Sequence, residues 1–368
     1  MAQRGLRSAV LLAAGGLALV AGALPAAAAA QPVGTTTSLI ASTVPGNGDV
    51  NPYGVAVVPA TTGALRQGDV LVSNFNAASN EQGTGTTIVQ VSPGGRVSTF
   101  AQIDPAHLHG ACPGGVGLTT ALSVLRSGWV IVGSLPTADG TSATAQAGCL
   151  LVLDSRGSVR ETFSGHGING PWDMTALDFG FSAQLFVTNV LNGTVAANGA
   201  TVDRGTVLRL TLAIPPGRPP LLAGTTVIGS GFPEHSDPAA LVVGPTGVGL
   251  SADGTLYVAD SVNNRIAAIP GAPYRLTDAG TGFTVTRNGA LNTPLGLAVA
   301  HDGTILTVNA ADGNLVATSP HGTQIQVVQL DGSGSPPGAG ALFGLAVAPD
   351  SRAVYFVDDA ANTLDLLH

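Results

Sequence analysis

Asp173 is the residue whose position most suggests chemistry. Several segments of the chain open with glycine ahead of an apolar run, as in "GVGLSADG" from Gly247 and "GLAVAHDG" from Gly296, but the third segment reads "GPWDM" and has Asp173 at the glycine position. Glycine permits close backbone approach, so a carboxylate in its place needs a bound cation, a hydrogen-bond donor or surrounding water. We therefore treat Asp173 as a candidate metal and ligand contact, and Trp172 as a flat contact for an apolar or sugar-like ligand.

Short polar side chains recur where strand-like runs end. They are Asn74, Ser134, Asn189, Asp260, Asn309 and Asp358. In a structural role, such side chains accept hydrogen bonds from the loop that follows. In a functional role, they rim a channel and supply ligands to a cation or a polar substrate. For the functional role we expect Asp173, Asn189 and Asp260 as metal ligands; the residues do not fix the cofactor, and a divalent cation such as calcium is the candidate.

These residues lie on a repeat. Units that begin at Gly247, Gly296 and Gly344 are 49 and 48 residues apart, and each holds two β-type runs around an Asp-Gly or Asp-Ser turn; fainter copies begin at Gly54, Gly117 and Asp173. This spacing is typical of propeller blades.

The sequence predicts an all-β, six-bladed propeller with four-stranded antiparallel blades, formed by residues 31–368 as one domain. The last copy lacks a fourth strand, so we expect "TSLIASTV" from Thr37 to close the ring.

The fourth unit resembles the NHL repeat. It reads "PTGVGLSADGTLYVADSVNNRI" from Pro245, close to the pattern Pro-x-Gly, apolar strand, Asp-Gly, Leu-Tyr-Val-Ala-Asp and Asn-x-Arg-Ile. The resemblance implies a six-bladed propeller of the lactonase and strictosidine-synthase-like superfamily. Its members include binding scaffolds, a peptide-amidating lyase and enzymes with calcium in the central channel. Lactonase relatives use a Glu near the opening of the first blade, where this chain has Asn51 in "NPYG".

The two cysteines are placed to meet. In an up-and-down blade, the loop entering the innermost strand and the loop between the second and third strands lie on one face, here called the top. Cys112 falls in the first of these loops in the second blade, and Cys149 in the second. We therefore expect a disulfide between them, with a reactive thiol as the alternative.

The N-terminus and the charge balance bound the location and the partners. Arg4 and Arg7 precede an apolar run and an Ala-x-Ala pattern that ends before Gln31, which predicts a cleaved signal peptide at 1–30 and a secreted or periplasmic protein without a membrane span. The net charge of −8 and the lack of a basic stripe argue against nucleic acid as a partner. We expect a monomer whose partner is an extracytoplasmic small molecule, glycan or protein.

Long segments follow Asn74, Ser134 and Asn189, so we expect ligand contacts on the top face of the first three blades. The predicted contacts are Asn51, Asn74, Trp172, Asp173 and Asn189. A rigid ring that carries long loops suits binding. The sequence accordingly favours a non-catalytic binding scaffold. The alternative is a metal-assisted hydrolase or lyase with its site at the channel mouth.

Overall fold

The computed structural model of the protein describes residue 1 and residues 32–238, 240–349 and 352–368. The predicted signal peptide at 1–30 lies outside these residues apart from Met1. The described chain forms six antiparallel sheets arranged as the blades of a propeller. The predicted fold class is confirmed.

The strands follow one another from the innermost to the outermost position of each blade. Blade 1 contains β2 (Val50–Val57), β3 (Val70–Asn76), β4 (Thr87–Val91) and β5 (Val97–Gln102); blade 2 contains β6 (Leu118–Val124), β7 (Val130–Ser134), β8 (Cys149–Leu153) and β9 (Val159–Phe163); blade 3 contains β10 (Gly170–Asp178), β11 (Ser182–Val190), β12 (Val202–Ala213), β13 (Leu221–Asp237) and β14 (Leu241–Val243). Blade 4 contains β15 (Pro245–Leu250), β16 (Leu256–Asp260), β17 (Arg265–Ile269) and β18 (Phe283–Arg287); blade 5 contains β19 (Pro294–Val299), β20 (Ile305–Asn309), β21 (Asn314–Thr318) and β22 (Gln324–Gln329); blade 6 contains β23 (Leu342–Val347), β24 (Val354–Asp358), β25 (Thr363–Leu367) and β1 (Thr37–Ser42). One α-helical turn, α1 (Thr194–Ala197), and three 3₁₀ turns at Pro105–His107, Ser142–Thr144 and Ser261–Asn263 lie in the loops.

The middle strands of blades 1, 2, 4 and 5 are almost entirely buried on both faces. All residues of β16 and β17 are buried, whereas the outer strand β18 leaves Phe283 exposed. Both faces of a blade pack against neighbouring blades, which explains why the middle strands read as nearly continuous apolar runs. The hydrophobic core is accordingly divided into layers between blades, such as the cluster that joins Leu71 of blade 1 to Leu151 of blade 2.

The N-terminal segment closes the ring as predicted. Strand β1 pairs antiparallel with β25, with Thr37 opposite Leu367. The pairing extends beyond the strand, because the Thr36 amide donates to the His368 carbonyl at 3.1 Å and the His368 amide donates back at 2.9 Å. Without β1, β25 would present an unpaired edge.

Two asparagines at equivalent positions, each directly before the third strand of its blade, join successive blades. Asn264 Oδ1 accepts a hydrogen bond from the Thr293 amide of blade 5 at 2.6 Å, and Asn362 Oδ1 accepts one from the Asn51 amide of blade 1 at 2.8 Å. Both asparagines have positive φ, which Asn tolerates better than most residues. The repeated Asn therefore positions the entry of the next inner strand.

Blade 3 departs from the expected four strands. Its β13 runs for 17 residues and forms a hairpin with the short β14, in which His235 lies opposite Val243. Residues 240–243 of this hairpin, here called the plug, are buried in a cluster with residues of blades 1, 2, 5 and 6. Blades this far apart in the ring meet only near the axis, so the plug lies over the top of the channel.

The predicted disulfide is present. Cys112 and Cys149 are joined, with a Cα–Cα distance of 5.2 Å. The bond ties the loop that enters β6 to the start of β8. Closing a loop of this length stabilises the fold by about 4 kcal/mol in the chain-entropy model.

Candidate functional site: the central channel and Asp173

A cavity of about 270 Å³ occupies the central channel. All six inner strands line it, and the lining extends to residues at or near their last positions, including Val124, Leu250, Val299 and Val347. These positions lie on the face opposite the plug. Because inner strands have one unpaired edge, their backbone amides and carbonyls face this cavity alongside the apolar side chains.

Among the described residues that line the cavity, Asp173 alone is ionisable. Its side chain is buried, with 8% of the residue exposed. Oδ1 accepts from the Met174 amide at 2.7 Å, and Oδ2 accepts from the Val248 amide of blade 4 at 3.0 Å. The backbone amide of Asp173 donates to Thr188 Oγ1 at 3.1 Å, which ties β10 to β11 at this level.

Burial raises the pKa of the Asp173 carboxyl to about 7. The two backbone amides oppose this shift, since they stabilise the carboxylate, and no charged side chain contributes to it. Asp173 is therefore divided between its protonated and ionised forms near neutral pH, as an efficient proton donor and acceptor requires.

The register corrects one part of the predicted repeat. Val55 lies opposite Val72 in blade 1, and Leu122 lies opposite Val132 in blade 2, so the residue that corresponds to Gly54 is Ala121 and not Gly117. An irregularity between Leu118 and Leu122 accounts for the displacement. Two blades therefore lack the glycine, and blade 3 alone replaces it with an ionisable side chain.

The glycines at this level are required where neighbouring backbones touch. A Cβ on Gly344 would lie 2.0 Å from the Tyr53 carbonyl oxygen, and one on Gly296 would lie 1.9 Å from that of Phe343. At Asp173 the next blade instead offers the Val248 amide to the side chain. Where four other blades have a close contact between a glycine and the next backbone, blade 3 therefore has a hydrogen bond between the Asp173 side chain and blade 4.

The structure does not bring the other two predicted metal ligands to Asp173. Asn189 Oδ1 accepts from the Asn169 and Gly170 amides, and its Nδ2 donates to the Gly167 carbonyl and Thr206 Oγ1. Asp260 Oδ2 forms a buried ion pair with Arg265 at 2.8 Å. These two side chains hold the ends of their own blades, and neither shares a hydrogen-bond partner with Asp173.

The donor set of the channel does not fit a calcium cage. Calcium sites combine carboxylates with carbonyl and water oxygens, whereas the described residues that line the cavity supply one carboxylate, and both of its oxygens already accept backbone amides. Among the described residues there is also no group of three or more His, Cys, Asp or Glu side chains suited to a metal. We therefore assign no metal to this site.

Three predicted ligand contacts lie near the top of the channel and are buried. The Asn51 backbone amide donates to Asn362 Oδ1 at 2.8 Å, and Asn74 Nδ2 donates to the Thr43 carbonyl at 3.0 Å. Trp172 is 3% exposed, and its Nε1 donates to the Val242 carbonyl of the plug at 3.0 Å.

Stacked aromatic rings close the channel beneath the plug. The Tyr53 ring stacks on Phe343 with 3.9 Å between centroids and on Phe75 with 4.4 Å, and Trp172 lies 6.5 Å from it. Leu241 in the plug adopts a positive φ of 61°, a strained conformation that surrounding packing must hold. Access to Asp173 is therefore from the face opposite the plug.

Two of the three long loops predicted on the top face line a second cavity of about 310 Å³. Its lining residues are Ser142, Ala143, Val195, Asn198, Gly199, Ser236 and Pro238. The loops after β7 and β11 meet the hairpin of blade 3 at this cavity, and the loop after Asn74 is not part of its lining. None of these side chains is ionisable, so this cavity lacks an evident acid or base.

Sequence reasoning missed two further carboxyls with perturbed pKa values. Burial raises the pKa of Glu234 to about 7, and burial together with the nearby Asp358 raises that of Asp359 to about 7. Glu234 Oε1 accepts from the Asn192 amide at 2.9 Å, so Glu234 holds the loop after β11. Neither lines the channel cavity. Their burial results from tertiary packing, and no local motif marks it.

No protein-family model and no curated protein matches the chain. Solved structures do match in fold. A gluconolactonase from Xanthomonas campestris is 12% identical, with a TM-score of 0.54 over 92% of this chain and 97% of that one. A calcium-binding regucalcin from Agrobacterium tumefaciens is 12% identical, with a TM-score of 0.54 over 89% and 93%. A streptogramin B lyase is 14% identical, with a TM-score of 0.50 over 90% and 97%.

These comparisons correct the expectation of a non-catalytic binding scaffold. Proteins that share the fold over nearly their whole length include a lactonase and a lyase. The resemblance to NHL-type propellers is confirmed at the level of the fold. The chain is a six-bladed β-propeller of the kind found in gluconolactonase-like and NHL-like proteins.

Proposed function

We propose that the protein is a hydrolase or lyase that acts on a small substrate in the channel cavity, with Asp173 as general acid and base. The observation that carries this proposal is a single buried carboxyl, with a pKa of about 7, facing a cavity of about 270 Å³. Active sites concentrate such perturbed carboxyls. The enzymes that share the fold support the same class of activity.

The geometry supports proton transfer at Asp173 Oδ1 or Oδ2. In hydrolysis of an ester or lactone, the carboxylate accepts a proton from water while the water oxygen bonds to the carbonyl carbon. The carboxyl then returns that proton to the leaving oxygen as its bond to carbon breaks. In a lyase, the same group accepts a proton from carbon and returns it to the leaving group. Positioned general acids and bases contribute about 10²- to 10⁴-fold to rate.

The experiment is an assay of purified protein with small aldonolactones and 4-nitrophenyl esters. Asp173→Asn keeps the size of the side chain and removes its ability to accept a proton, so turnover should fall on the order of 100-fold or more. Asp253→Asn, at an exposed turn of blade 4, is the matched control and should retain activity. Equal turnover by Asp173→Asn and wild type would refute the assignment.

We also propose that the mature protein spans residues 31–368 and acts outside the cytoplasm as a monomer. The disulfide supports this location, because such bonds persist in oxidising compartments. No helix of the described chain is long and apolar enough to cross a membrane. N-terminal sequencing of exported protein should read Gln-Pro-Val, and a retained Met1 would contradict cleavage.

A further inference from the structure

The register of the inner strands places six equivalent backbone amides around the axis. In an antiparallel pair, successive residues alternate between ladder bonds and groups that point away from the partner. In five blades, the alternation is fixed by a backbone amide just after the inner strand, which donates to the carbonyl just before the neighbouring strand. These amides belong to Val58, Leu125, Ser251, Ala300 and Ala348. The residues that correspond to Val55, and whose amides point toward the channel, are Leu122, Met174, Val248, Leu297 and Leu345.

Two amides of this ring already donate to carboxyl oxygens. The Asp173 carboxylate accepts from two of its members, Met174 in its own blade and Val248 in the next. The carboxylate thus occupies one side of the ring. The other four residues, Val55, Leu122, Leu297 and Leu345, line the same cavity.

We propose that the amides of Val55, Leu122, Leu297 and Leu345 form an oxyanion site that binds a small carboxylate. The proposal deepens the proposed function and rests on it for its role: hydrolysis of an ester or lactone passes through an oxyanion and releases a carboxylate. Fixed backbone amides that face a developing oxyanion are a common means of stabilising it. The substrate class is then a small ester or lactone whose acid product fits the channel.

Asp173 couples this site to pH. The ionised carboxylate of Asp173 repels a second anion in the same cavity, and the protonated carboxyl does not. No other titratable or charged side chain lines the cavity from any of the six strands. The affinity for a carboxylate ligand should therefore fall about tenfold for each pH unit above about 7. The fall should stop where the weaker binding to protein with ionised Asp173 dominates.

The test is titration of the full mature chain with acetate, followed by NMR of selectively ¹⁵N-labelled protein. Leucine labelling reports Leu122, Leu297 and Leu345. Alanine labelling reports Ala298 and Ala346 as matched controls, because their amides lie in the ladder and face away from the channel. We expect saturable shifts of the three leucine amides at about pH 6, no matching shifts of the alanines, and no response to neutral acetamide.

The same acetate titration of the variant Asp173→Gly is the second part of the test. Glycine is the residue at this position in four sister blades, and its introduction removes the charge and frees the Met174 and Val248 amides. This variant should bind acetate at least as tightly as wild type does at about pH 6, and its affinity should no longer change with pH. Because binding is read without turnover, the site and the proposed function can fail separately.

Two results would overturn the oxyanion site. One is a lack of saturable leucine shifts in both folded proteins, even where Asp173-dependent turnover is measured. The other is an acetate affinity of Asp173→Gly that keeps the pH dependence of the wild type. Saturable shifts in a protein without turnover would support the oxyanion site and count against the proposed function alone.

Discussion

Asp173 Oδ2 of blade 3 accepts a hydrogen bond from the Val248 amide of blade 4 at 3.0 Å, at the level where four other blades place glycine. This contact joins two blades at the channel and leaves the carboxyl on the cavity surface. It links the fold to the proposed chemistry, because the packing that buries Asp173 also raises its pKa.

Stability should depend on pH through three buried carboxyls. Asp173, Glu234 and Asp359 each have a pKa of about 7 in the folded protein, above their ordinary values of 3.8, 4.5 and 3.8. The folded state then binds protons more tightly than the unfolded state, so the free energy of unfolding falls as pH rises from about 4 to about 7 and levels off above it.

Asp173→Asn isolates the contribution of one carboxyl. Its free energy of unfolding, measured with urea between about pH 5 and pH 8, should fall less steeply than that of wild type, by up to about 1.4 kcal/mol per pH unit. Parallel curves for the two proteins would show that Asp173 does not titrate in this range.

Deleting residues 37–44 should destabilise the protein severely. The deletion removes β1 and its pairing with β25, which leaves blade 6 with three strands and an open edge. We expect either insoluble protein or a melting temperature lowered by more than about 5 °C, since a loss of 1 kcal/mol lowers the midpoint of a large domain by only about 2–4 °C. A midpoint within about 2 °C of wild type would contradict closure by β1.

The sequence predicts the structure where local pattern and global fold agree. The Asp-Gly turns and the apolar runs after Gly247, Gly296 and Gly344 predict the blades, and the orphan run from Thr37 predicts the closure. The disulfide followed from placing Cys112 and Cys149 on one face of one blade.

The plug and the local environment of the site could not be predicted in the same way. Residues 240–243 are buried by side chains from four other blades, which no local pattern records. The irregularity between Leu118 and Leu122, which puts Ala121 in the glycine position, depends on how β6 pairs with β7 and has no local sequence pattern. The short polar side chains at the strand ends allow a structural and a functional interpretation from sequence alone. In the structure, Asn189 and Asp260 form hydrogen bonds that hold their own blades.

Trp172→Phe separates the plug from the channel. The substitution removes the hydrogen bond from Nε1 to the Val242 carbonyl and leaves that buried oxygen without its donor. We expect a loss of about 1–3 kcal/mol in unfolding free energy, with turnover within about twofold of wild type, because access to Asp173 is from the opposite face. A stably folded variant that has lost turnover would place the reaction on the top side.

Chelation should leave the Asp173-dependent activity in place. The one carboxylate among the described residues that line the channel accepts the Met174 and Val248 amides through its two oxygens, so neither oxygen is free for a cation. Dialysis against EDTA should therefore preserve turnover, and magnesium or calcium added back should not raise it. Loss on dialysis with recovery in calcium would show that a cation takes part.

The pH dependence of kcat/KM tests the central claim most directly. If Asp173 is the general acid and base of the channel, wild-type kcat/KM for a responsive lactone or ester should change with an apparent pKa of about 7. The residual activity of Asp173→Asn should lack that titration, while Asp253→Asn should keep it. A residual profile of Asp173→Asn that retains the same apparent pKa would contradict the account.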